Sequence, residues 1–202
     1  MWVEWIDVRA AACAAALLLA ATTRVAADST GLLVPDRFTA ITTGMTPRGL
    51  ELRIDIRKWS DETSRTAAVA ALSTRFAASK ALANLPTLGY VWVGNGAVGY
   101  AVKYAHRTWT PEGQRVTFVT EKNLGNYDIK PWAADPPLGR PDPGYSVIEL
   151  YLDARGRGEG ALSLASEVRV DVVNRAVSLA PGAPRLLANA VLQPKPYLAR
   201  RT

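Results

Sequence analysis

The sequence predicts an α+β protein, mainly antiparallel β: about eight strands in a curled sheet or partly closed barrel, with one amphipathic helix at about residues 61–84 packed on it. Three observations carry this expectation. Leu50, Leu52, Ile54 and Ile56 alternate with Glu51, Arg53, Asp55 and Arg57, the period of a strand with one wet face. Residues 61–84 are alanine-rich, with Val69, Leu72, Phe76 and Ala83 at roughly helical spacing. From residue 90 to 193, short alternating runs are separated by turn residues and no second helical pattern interrupts them.

The elements follow in order. After the strand at 50–57, Ser60 is placed to cap the helix, with Asp61 and Glu62 in its favourable first turn; Pro86 and Gly89 end it. Tyr90–Val93 leads into Gly94-Asn95-Gly96, a tight-turn signal. In the next strand Tyr100, Val102, Tyr104 and His106 share one face, and a turn at 110–113 leads into Arg115–Glu121. Residues 122–144 hold five prolines and three glycines and read as a long loop. Strands are expected again at 145–153, 161–173, 176–180 and 186–193, with the glycine-rich stretch 154–160 as a hairpin connection.

Residues 10–23 form an apolar run shorter than the roughly 20 residues a bilayer-spanning helix needs. Val25, Ala26 and Ala27 follow with the small side chains read by a signal peptidase. The expected organisation is a signal peptide at 1–27, a single β-rich domain at 28–193 and a tail at 194–202, in a periplasmic or secreted protein. No later run of 18 apolar residues occurs, so no transmembrane segment is expected after the signal peptide.

Composition narrows the chemistry. The only cysteine, Cys13, lies within the expected signal peptide, which leaves the domain no thiol nucleophile, no disulfide and no Cys-based metal site. The single histidine, His106, cannot supply a multi-histidine ligand set, and no metal or cofactor is expected. The formal net charge is +6, but the basic residues are scattered, with clusters only at Arg155/Arg157 and Arg200-Arg201. A continuous basic face for phosphates is missing, so nucleic acid is not an expected partner.

Three patterns are candidates for function. The glycines at 156, 158 and 160 precede a strand pattern and no Gly-Lys-Ser/Thr motif exists, so a turn is expected rather than a phosphate loop. His106 has Glu149 and Asp153 as carboxylates on another strand, the minimal ingredients of a hydrolase, yet such pairs arise by chance in any protein of eight strands. No residue is assigned a catalytic role. The aromatic residues offer a binding surface, with Trp132 in the proline-rich loop the one expected to be exposed. The residues assigned to ligand binding are therefore Tyr100, Tyr104, His106, Trp132 and Tyr151.

The runs LPTLGYVWV at 85–93 and GYAVKYAHR at 99–107, then IELYLD at 148–153, GRGEG at 156–160 and Leu162-Ser163-Leu164, resemble a family of exported bacterial β-rich proteins with no assigned activity. The likeness covers most of residues 37–192. It implies export and a single β-rich domain, and no site residues. The function expected is a non-enzymatic binding domain for a small or apolar ligand held within the curled sheet. The alternatives are an envelope structural or protein-interaction module, with an envelope protein as partner, and a hydrolase using His106 or the acidic residues.

Overall fold

Alternation at residues 50–57 does form a strand, β2 (Glu51–Ile56), whose Leu52, Ile54 and Ile56 are buried while Glu51 and Arg53 are exposed. The structure is a computed structural model that describes residues 34–43, 49–74, 77–124, 144–163, 168–183 and 186–195. Residues 33–202 cluster as one unit. The expected signal peptide at 1–27, Trp132 with most of the 122–144 loop, and the tail beyond residue 195 lie outside the described residues.

The other strands are β1 (Asp36–Thr42), β3 (Gly89–Val93), β4 (Tyr100–Thr110), β5 (Gly113–Thr120), β6 (Val147–Asp153), β7 (Arg157–Leu162), β8 (Val168–Asp171), β9 (Ala176–Leu179) and β10 (Leu187–Leu192). Eight of them close into a barrel in the order β1-β10-β7-β6-β5-β4-β3-β2, every neighbour antiparallel, and β8 and β9 form a separate hairpin. Closure gives each barrel backbone a partner on both sides and removes the sheet edges. Two glycines make tight approaches here. A Cβ on Gly158 of β7 would stand 1.8 Å from the Tyr151 carbonyl oxygen, and one on Gly113, at φ +149°, 2.1 Å from that of Leu152.

The barrel interior is filled by side chains. Phe38, Leu52, Ile54, Phe118, Ile148, Leu150, Leu162 and Leu187 are all buried there, and Phe38, Phe118 and Trp59 stack into an aromatic cluster with centroids 5.4–6.3 Å apart. Interiors of eight-stranded barrels are just wide enough for side chains to fill them.

A second apolar layer lies on the outer wall. Helix α1 (Glu62–Ser73) and helix α2 (Ala78–Ala83) bury Ala68, Val69, Leu72 and Leu82 against Tyr104, Val119, Val147 and Ala161 of the wall, with Val177 and Leu179 of β9 joining them. The single helix expected at 61–84 is thus two. Ser73 and Thr74 hydroxyls bond back to the carbonyls of Val69 and Ala71, competing with helix continuation where α1 ends. The cap also differs from expectation: Asp61 accepts the Ser64 amide at 2.9 Å, while the Ser60 hydroxyl accepts the Ala105 amide from the barrel.

Two further differences concern strands. β1 was not expected, since its DRFTAIT run is short and mixed, and it is the strand that closes the barrel between β2 and β10. The glycine-rich stretch read as a connection is largely β7 itself; only residues 154–156 turn, with Gly156 at φ +74°.

Candidate functional site

Strand β4 carries the element that builds the site. Its register against β5 shifts between Val102 and Tyr104, a bulge that leaves Lys103 as the extra residue. Before the bulge, Tyr100 and Val102 pack into the barrel core; after it, Tyr104 and His106 face outward. The expectation that Tyr100, Val102, Tyr104 and His106 share a face therefore fails at Lys103. Lys103 is itself 5% exposed, and its ammonium donates to the carbonyls of Ala83 and Leu85 and to the Thr87 hydroxyl, with Glu121 at 3.3 Å.

Across the outer wall the register brings Tyr104 and His106 of β4, Arg115 and Thr117 of β5, and Glu149 and Tyr151 of β6 onto one surface. The β8–β9 hairpin covers part of it. The two β9 amides that turn away from β8 are met by wall side chains: the Leu179 N–H donates to Glu149 Oε1 at 3.2 Å, and the Val177 N–H to the Tyr104 hydroxyl at 3.4 Å. Glu149, only 1% exposed, accepts the Tyr151 hydroxyl on its other oxygen at 2.6 Å. A buried carboxylate with a hydrogen bond on each oxygen is a docking fixture for the hairpin edge.

His106 Nε2 lies 3.2 Å from Arg65 Nη1, which donates to it as the ring cannot donate to a guanidinium. Burial, and then the charges of Arg65 and Arg115, hold the His106 pKa below its ordinary value of 6.5. A base whose folded pKa is lowered contributes its full stability above about pH 6.5, and loses it as pH falls below that value. The wild type is therefore expected to lose more stability between pH 7 and pH 5 than His106→Asn, which keeps an acceptor for Arg65. Urea unfolding at both pH values checks this, and equal losses would remove the assignment.

Beside Glu149 the wall and the hairpin separate to leave a cavity of about 460 Å³. Arg115, Glu149 and Tyr151 line it from the wall, Arg169 and Ser178 from the hairpin, and residues 179–183 line one end. That end is a turn in which the Ala183 amide bonds the Ala180 carbonyl, with Pro181 second and Gly182 third at φ +85°, the residues a type II turn selects. A second depression of about 600 Å³ shares Arg115 and Tyr151 and runs on toward Gln114, Asp153 and Arg157 at the rim of the barrel.

No protein family, curated protein or solved structure matches this chain.

Of the residues predicted for ligand binding, Tyr151 lines the cleft, Tyr104 and His106 lie on the same outer wall and do not line it, Tyr100 packs against the barrel core, and Trp132 lies outside the described residues. The hydrolase ingredients do not converge. His106 and Glu149 sit two strands apart through Thr117, about 10 Å by strand spacing. Asp153, on the exposed hairpin turn, spends Oδ1 on the Arg155 and Arg157 amides. Among the described residues, no three His, Cys, Asp or Glu side chains are grouped to hold a metal ion.

Sequence reasoning missed Arg115 and Ser178 as lining residues. Alternation places Arg115 on the wet face of its strand. Only the hairpin folding back over that face makes it part of a cavity.

Proposed function

We propose that this chain is a non-enzymatic binding domain of an exported protein, and that its small ligand sits in the cleft between the barrel wall and the β8–β9 hairpin. The cavity between Arg115 and Arg169 carries the reading: it has a binding-site volume and polar residues from both walls. The filled barrel interior moves the ligand from inside the curled sheet, where the sequence led us to expect it, to the outside. The polar lining favours a polar ligand over the apolar one. His106, held by Arg65, and Glu149, held by Tyr151 and Leu179, are engaged in structural bonds, which supports binding over hydrolysis.

A second reading has its own support. Val172 and Val173, at the tip of the hairpin, are 67% and 87% exposed, a feature of a module that docks on another envelope protein.

Native mass spectrometry of the full chain recovered from its source cells separates the two. A retained small molecule that Ser178→Trp abolishes supports the cleft. The same adduct surviving on Ser178→Trp contradicts it, and a protein adduct lost in the double variant Val172→Ser, Val173→Ser establishes the second reading instead.

A further inference from the structure

Two arginines line the same cavity from opposite walls, Arg115 from β5 and Arg169 from β8. Among the described residues neither has a carboxylate within ion-pair distance, whereas Arg37, Arg107 and Arg175 are paired with Asp55, Asp36 and Glu62. Glu149, the acidic residue in the lining, has both oxygens committed, one to Tyr151 and one to the Leu179 amide.

We infer that the cleft takes the anionic oxygen group of a small molecule, a carboxylate or a phosphate, bridged between Arg115 and Arg169. This rests on the cleft being the binding site and adds the ligand's chemical class. Guanidinium forks match such groups with paired, charge-assisted hydrogen bonds, which a neutral ligand would not form. The Ser178 hydroxyl, which lines the same cavity from the strand paired with β8, adds a donor. The cavity's volume fits a small molecule. The overall positive charge adds long-range attraction for an anion.

The test is an NMR titration of the isotope-labelled full chain with three probes: inorganic phosphate, succinate and glucose. Phosphate or succinate is expected to shift the amides of Ser178–Ala183 and the Arg115 side-chain signal. Arg169→Gln should weaken that binding about tenfold, the worth of one charge-assisted contact. Response to phosphate alone identifies a phosphate-bearing ligand, and response to succinate alone a carboxylate. If glucose shifts these signals and neither anion does, the anionic class is overturned while the cleft stands. If the anions shift only signals elsewhere, or bind Arg169→Gln as tightly as the wild type, the inference is overturned.

Discussion

Phe118→Ala is expected to lower the unfolding free energy by about 3–5 kcal/mol, measured by urea denaturation at pH 7. Phe118 is fully buried, and its ring meets Phe38 at 5.4 Å and Trp59 at 6.2 Å inside the barrel. Phe38 and Trp59 therefore both lose a neighbour at once. The barrel wall is a closed ring of backbone hydrogen bonds, so it cannot easily collapse into the void. A second readout follows from the same geometry: the variant is expected to bind benzene in the new cavity, and the wild type is not. A loss below about 1 kcal/mol, or benzene binding by the wild type, would mean that the interior is hollow.

Lys103→Met is the other large effect, expected to cost about 3 kcal/mol. Methionine keeps most of the stem and removes the ammonium, which holds two carbonyls at the end of α2, the Thr87 hydroxyl and Glu121. Those acceptors then lose the one donor they share, and the buried stem of Lys103 loses the polar anchor that ends it. The loss should be local as well as global: amide exchange across Ala78–Leu85 should rise most, because Lys103 ties the C-terminal turn of α2 to the barrel. Unchanged exchange in that segment would show that the helix docks through Leu82 alone. The bulge itself should survive, since the pairing on both sides of it remains.

Strands with regular alternation were legible from sequence. β2, β5 and β6 read correctly because one face packs on the barrel core and the other meets a different environment, the pattern that period-2 reasoning detects. β1 was illegible for the opposite reason. Its DRFTAIT run has small and polar residues on both faces, and its identity as a strand comes from β2 and β10, which are distant in sequence. β7 was masked by its glycines, which usually weaken a strand and here allow Gly158 to lie against Tyr151. The bulge at Lys103 had no local signature either. A charged residue in an alternating strand reads as solvent-facing, and only the carbonyls at the end of α2 explain why it is buried.

The site was legible in part. Tyr104 and His106 share a strand face as the alternation predicts and lie on the outer wall with Tyr151, but Tyr151 is the one that lines the cleft. Tyr100 was chosen by the same alternation and falls on the other side of the bulge. Glu149 was considered as a catalytic carboxylate, whereas the structure ties it to the edge of β9 through the Leu179 amide. Its partner is thirty residues away across a turn and a hairpin, a contact that no periodicity reports. The cleft exists because the β8–β9 hairpin packs on the wall edge-first, and edge-on docking is set by tertiary contacts.

One measurement bears most directly on the claim that the ligand site lies outside a filled barrel: hydrogen–deuterium exchange of the full chain, with and without the small molecule it retains. Slowed exchange at residues 176–183, with the amides of β1, β2 and β3 unchanged, is the expected result. Slowed exchange in β1, β2 and β3 with none at 176–183 would place the ligand inside the barrel and contradict the outer cleft.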